Sequence, residues 1–171
     1  MKRSFIREIL ESIDESTISF AGGLPSEKLF PREDLKIATM KIFDNPKAFQ
    51  YGVSNGIPEL REKIAQRYTK EGFPTTKDNI LITTGSQQAM YIIAKAFESK
   101  DITIEEPSYL GAMNIFRLNH LNMKGVKLEN DGVNIEKFKE SFKQTKLAYI
   151  IPDFQNPSAR TYSVAKREEI A

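Results

Sequence analysis

One stretch in the middle of the chain, Ile80-Leu81-Ile82-Thr83-Thr84-Gly85-Ser86-Gln87-Gln88-Ala89, restricts the fold more than any other. Its consecutive branched apolar residues predict a buried strand. The small residues Thr84-Gly85-Ser86 predict a tight turn. Ala89, Ile92, Ile93, Ala96 and Phe97 then recur at helical spacing, which predicts a helix with one buried face. A helix N-terminus presents unpaired backbone N–H groups and about half a positive charge. Gly85 admits a ligand to the backbone there, and Ser86 and Gln87 add side-chain donors. That is the arrangement of a phosphate cup. The same residue types also serve as caps and turns in helices that bind nothing. The stretch lacks the Gly-Lys-Ser/Thr ending of a P-loop and the three-glycine dinucleotide fingerprint. Gln88 and Ala89 after Ser86 exclude the Gly-x-Ser-x-Gly nucleophile elbow.

Composition narrows the function classes. A chain of 171 residues suits one domain. With no cysteine, it has no disulfide, no thiolate nucleophile and no cysteine-ligated metal, and a reducing cytoplasm is the expected location. The single histidine, His120, lies between Asn119 and Leu121 in a polar loop, so no metal site is expected. A formal net charge of +2 without a clustered basic stripe argues against a nucleic-acid partner. No apolar run is long enough to span a bilayer, and Met1-Lys2-Arg3 is not followed by a signal-peptide core, so no membrane association is expected.

Along the chain, Phe5, Ile6, Ile9, Leu10 and Ile13 predict a short amphipathic helix over residues 4–13, an N-terminal helical arm. Ile18-Ser19-Phe20-Ala21-Gly22-Gly23-Leu24-Pro25 is extended and broken by glycines. Pro31 opens a helix whose inward face is Leu35, Ala38 and Ile42. Tyr51-Gly52-Val53-Ser54-Asn55-Gly56-Ile57 is a loop, and Pro58 opens a helix that buries Leu60, Ile64, Ala65 and Tyr68 and ends at Gly72. Residues 102–105 predict a strand, 110–118 a helix, 124–128 a strand and 135–142 a helix. Residues 147–151 predict a buried strand, and a helix starts at Val164. The alternation predicts an α/β fold with a mostly parallel sheet flanked by helices.

Ligands of open α/β sheets bind beyond the carboxyl ends of the strands. Those ends here carry Gly85-Ser86-Gln87, Tyr109 and Asn156-Pro157. An anion fits the first, an aromatic ring stacks on the second, and the Asn156 amide donates to a ring oxygen. A phosphorylated aromatic cofactor needs those three supports. Each residue also has a plain role, Tyr51 and Tyr109 as core-edge aromatics and Asn156 as a turn residue before Pro157.

From about residue 18 to Ala171, the chain resembles the N-terminal part of a fold type I pyridoxal-phosphate aminotransferase of class I/II. Within that superfamily it is similar to the 2-aminoadipate/kynurenine aminotransferase branch. The resemblance is carried by Phe20-Ala21-Gly22-Gly23-Leu24-Pro25, residues 51–60, residues 84–89, Glu106-Pro107-Ser108-Tyr109 and residues 152–157. It implies an incomplete cofactor-binding large domain over residues 51–171, with the arm and the start of a small domain over residues 1–50. It further implies that Gly85, Ser86 and Gln87 hold the phosphate of pyridoxal 5′-phosphate. Tyr109 then stacks on the pyridine, Asn156 contacts the phenolic oxygen, and Tyr51 reaches the phosphate of a neighbouring subunit in a homodimer. Gly22 and Gly23 line the substrate pocket. The implied reaction is transamination between an L-amino acid and a 2-oxo acid.

The Schiff-base lysine and the acid that pairs with the pyridine nitrogen lie, in such enzymes, beyond the Asn-Pro motif. Both are expected beyond Ala171, so no catalytic residue is assigned here and the chain is expected to be an inactive fragment by itself. Lys166 is expected to be solvated, and Asp153 does not match the position of the pyridine acid. The alternatives are a non-catalytic module of the same fold, such as a regulator's effector domain, or a lyase or synthase using the same cofactor. Two departures stand out. Lys100-Asp101 replaces a longer turn, and Ala159 stands where glycine is usual, which predicts a differently shaped turn.

Overall fold

Strand β1 (Asp101–Glu106) is the axis of the structure, a computed structural model that describes residues 11, 13, 14, 16–18 and 23–171. Side chains alternate across a strand, so β1 serves two layers. Ile102 and Ile104 face one core, which they share with Met90 and Ala94 of a helix over Gly85–Ala96, Ala112 and Phe116 of a helix over Leu110–Leu118, and Leu121. Thr103 and Glu105 face the other side. There Val126, Val133, Phe138 and Tyr162 form a second core.

In chain order the helices are α1 (Arg32–Phe43), α2 (Pro58–Lys70), α3 (Gly85–Ala96), α4 (Leu110–Leu118), α5 (Ile135–Thr145) and α6 (Val164–Ile170). The remaining strands are β2 (Asn122–Glu129), β3 (Gly132–Val133) and β4 (Ala148–Tyr149), and the sheet order is β3-β2-β1-β4. β1 runs parallel to β2, with Asp101 opposite Asn122, and parallel to β4, with Thr103 opposite Ala148. β3 folds back antiparallel on β2. The chain therefore leaves β1 to one side through α4 and returns to its other side through α5. Right-handed crossovers in opposite directions place their helices on opposite faces. Phe116 of α4 accordingly packs under Ile102 and Ile104, while α5 sends two hydroxyls to Thr103. Thr103 Oγ1 lies 2.7 Å from Ser141 Oγ and 2.8 Å from Thr145 Oγ1, and Thr145 donates onward to the Leu147 carbonyl at 3.1 Å.

The chain divides into two units, residues 1–51 and 52–171. In the first, α1 buries none of its residues, and the expected inward face of Leu35, Ala38 and Ile42 is exposed. The described part of that unit offers only short 3-10 helices to pack on, with Phe43 against Phe49 at 5.5 Å between ring centroids. Pro31 precedes α1 as its N-cap rather than opening it. The predicted arm over residues 4–13 falls almost wholly outside the described residues.

Four further expectations are corrected in the second unit. Residues 80–82 are extended at Ile80 (φ −112°, ψ 128°) but join no ladder. Ile82 donates to the Asn55 carbonyl at 3.1 Å, and Leu81 is 50% exposed. A strand needs a neighbour to supply its bonds, and among the described residues none lies alongside. On α3 the buried residues are Met90 and Ala94, whereas Ile93 is 49% exposed, so the packed stripe is rotated from the one its spacing predicts. The predicted strand over 147–151 forms a ladder only at Ala148–Tyr149 and is half-buried, because β4 has a partner on one side alone. On α2 only Ala65 of the expected apolar stripe is buried, joined by Arg61.

Candidate functional site

The winding reverses between β1 and β4, and the space beyond the carboxyl ends of these two strands, here termed the β1–β4 crevice, is the usual ligand position in such sheets. Tyr109 follows β1 and Asn156 follows β4, so the topology brings these two predicted residues to its two lips. Tyr109 is the N-cap of α4 and half-buried. Its ring lies back over Gly111. A methyl group at Gly111 would sit 2.5 Å from both Cζ and Oη of Tyr109, so glycine at that position lets the ring lie across the helix start. Asn156 is exposed, and its amide has no bonding partner among the described residues.

Gly85 opens α3 at φ +77°, a conformation that favours glycine. Its N–H donates to the Thr83 carbonyl at 2.9 Å. The Gln88 side chain reaches back to accept from the Thr84 N–H at 2.5 Å. No side chain caps the helix at its N-cap residue Thr84, and Ser86 and Gln87 are exposed in the first turn. Among the described residues the N–H groups of Ser86 and Gln87 thus have no side-chain acceptor, as a phosphate site requires. A buried guanidinium fixes the approach to this turn. Arg61 donates through Nε to the Ile80 carbonyl at 2.9 Å and through Nη2 to the Lys77 carbonyl at 2.7 Å.

Gly23 is exposed at φ +58° with open space around it. Gly22 lies outside the described residues. Tyr51 is 100% exposed and belongs to the other unit. Lys166 is not solvated as expected. Its side chain is 13% exposed and its ammonium bonds Glu129 and, at 2.9 Å, Asp131. Burial works against that charge, but the two carboxylates outweigh it and raise the ammonium above its ordinary range. Asp153 is held by Arg167 through two bonds of 2.6 and 3.1 Å, and these keep its carboxyl below the usual range. Ala159 closes its turn in a conformation that is strained for alanine. The residue adopts φ +58°, the left-handed conformation that glycine favours, and its N–H donates to the Gln155 carbonyl at 2.6 Å.

Sequence reasoning missed a buried polar network beneath the crevice. Glu105 accepts from the Ile151 N–H at 3.0 Å, from Gln155 Nε2 at 2.9 Å and from the Tyr162 hydroxyl at 2.7 Å. Burial, reinforced by the Glu105 bond, pushes the Tyr162 phenol far above its ordinary range, so it remains a donor. The signal was present, since Glu105 alternates with Ile102 and Ile104 in a strand and so faces an interior. Arg61, likewise, sits on the apolar stripe of α2 beside Ile64 and Ala65.

With this geometry in place, similarity decides the family. The profile of the family "Aminotransferase class I and II" matches residues 20–171. The chain belongs to the class I and II aminotransferases. It is 33% identical to aromatic-amino-acid aminotransferase 1 of Thermococcus litoralis, over 99% of this chain and 44% of that protein. It superposes on LysN, the alpha-aminoadipate aminotransferase of Thermus thermophilus solved with N-(5′-phosphopyridoxyl)-L-leucine, with a TM-score of 0.81 and 34% identity, covering 99% of this chain and 43% of that one. The kynurenine aminotransferase of Pyrococcus horikoshii, solved with PMP, gives a TM-score of 0.82 at 31% identity, covering 99% and 45%. The chain therefore spans under half the length of these relatives. As expected from the motifs, the α/β fold and the aminotransferase membership hold.

Proposed function

We propose that this chain holds pyridoxal 5′-phosphate at the carboxyl edge of its sheet, as part of an aminotransferase acting on an L-amino acid and a 2-oxo acid. What supports the reading is that one chain of this family carries both a helix N-terminus without a side-chain cap, at α3, and a reversal of winding between β1 and β4. Gly85, Ser86 and Gln87 hold the phosphate, the last two through their first-turn N–H groups and Gly85 by admitting it to the backbone, aided by the helix dipole. Tyr109 lays its ring against the pyridine. Asn156 donates its amide to the ring oxygen. The bound cofactor supplies an electron sink that lets an amino group pass between the two substrates. This chain's residues bind and orient it, with Gly22 and Gly23 beside the substrate. Tyr51, fully exposed, reaches the phosphate held by a second copy, so the active assembly is a homodimer.

The test uses pyridoxamine 5′-phosphate, which carries no aldehyde and so cannot attach to surface lysines. The wild-type chain is expected to bind it at least tenfold more tightly than pyridoxamine, and Gly85→Val is expected to abolish the difference. Equal binding of the two compounds refutes the reading.

A further inference from the structure

We propose that Glu105 is a positioning residue that fixes the Tyr109 and Asn156 loops in register across the β1–β4 crevice. This rests on reading that crevice as the pyridoxal phosphate site. Glu105 is 1% exposed at the end of β1, where the β1–β4 ladder stops. Its carboxylate takes over from the ladder by accepting the Ile151 N–H. Its other bonds reach Gln155 and Tyr162, at either end of the loop that contains Asn156. Gln155 then extends the link to the other lip. Its Nε2 donates to the Pro107 carbonyl at 2.8 Å, two residues before Tyr109. Its Oε1 accepts from the N–H and the hydroxyl of Ser158 at 2.9 and 2.6 Å. The Gln155 amide thereby uses both donors and both acceptor positions. One buried acid and one saturated amide hold both lips together, and neither reaches the N-terminus of α3.

This separation makes the role testable. An amide at position 105 would turn an NH2 group toward one of three donors, so Glu105→Gln unlinks the loops. Tyr162→Phe removes a single donor while keeping the ring in its core, and carries the test should Glu105→Gln fail to fold. Both variants of the 171-residue chain are expected to bind pyridoxamine 5′-phosphate about tenfold more weakly and inorganic phosphate within twofold of wild type. Amide hydrogen exchange at Ser158 and Ala159 is expected to quicken about tenfold relative to Thr103, whose N–H bonds Leu147 in the sheet. Equal losses for the two ligands, or equal quickening at Thr103 and in the loop, mean a merely structural role and overturn the proposal. Wild-type chain that binds pyridoxamine 5′-phosphate no better than inorganic phosphate overturns the cofactor reading, and this role with it. Wild-type binding that survives both variants unchanged overturns the positioning role alone.

Discussion

Replacing Gly111 with alanine separates the orientation of Tyr109 from the stability of the fold. The added methyl would lie 2.5 Å from Tyr109 Cζ and Oη and 2.7 Å from Cε1. Ordinary carbon contacts begin near 3.5 Å, so the ring must retreat by roughly 1 Å. Turning it away from its preferred rotamer costs about 0.5–1.5 kcal/mol. Against this, alanine is favoured over glycine inside a helix by up to about 1 kcal/mol. The two effects nearly cancel, and the urea midpoint of Gly111→Ala is expected to report a stability change below about 1 kcal/mol. Binding has no such compensation. A ring displaced from its stacking position forfeits about 0.5–1.5 kcal/mol, which weakens pyridoxamine 5′-phosphate roughly two- to tenfold. Inorganic phosphate, held at α3, should be unaffected. Unchanged binding of pyridoxamine 5′-phosphate would refute the reasoning, because the ring would then be either unmoved or irrelevant. A loss of stability beyond about 2 kcal/mol would refute it too, by showing that Tyr109 cannot turn aside.

Ala159→Gly is expected to stabilise the chain by about 0.5–1 kcal/mol in urea titration, since alanine at φ +58° costs about 1–2 kcal/mol and glycine returns about half of that as chain entropy. Thr103→Val keeps the shape but removes the hydroxyl between Ser141 and Thr145, and is expected to cost about 1–3 kcal/mol by the same assay. The docking of α6 is expected to depend on pH at both extremes. Bonds from Lys166 depress Glu129 and Asp131, and bonds from Arg167 depress Asp153. Their stabilisation is complete above the ordinary carboxylate range near 4 and is lost as pH falls through their lowered values. Lys166 is raised despite its burial, so its stabilisation is complete below about 10.4 and is lost as pH rises through its folded value. Melting temperatures across pH should fall at both ends, and Lys166→Met should reduce the alkaline part to the share of Lys139, which its bond to Glu169 of α6 also raises.

Short-range pattern accounts for what was legible. Helix α4 runs over Leu110–Leu118, the span its spacing predicts, because the Pro107-Ser108-Tyr109 entry and the Asn119-His120 turn bracket one apolar stripe. Strand β1 was equally plain, as a run of branched residues between polar turns. The hairpin strand β3 was not, since Gly132–Val133 carries no pattern of its own and pairs only because β2 lies beside it. The candidate site divides in the same way. Gly85, Tyr109 and Asn156 stand out because each is an unusual residue at the end of a regular element. Glu105, Gln155 and Tyr162 are scattered by up to 57 positions and become a unit only when β4 is laid beside β1.

The sequence by itself determined the alternation of strands and helices, the approximate place of most of them, the turn at Gly85 and the family. Those properties follow from periodicity and from the backbone preferences of single residues, which neighbours a few positions away settle. Only the tertiary structure decided that residues 80–82 join no ladder, that α3 buries Met90 and Ala94 rather than Ile93, and that a buried glutamate ties the two lips of the crevice. Ladder partners, the direction in which a helix face turns, and the burial of a charge all depend on contacts between distant parts of the chain, and no local pattern encodes them.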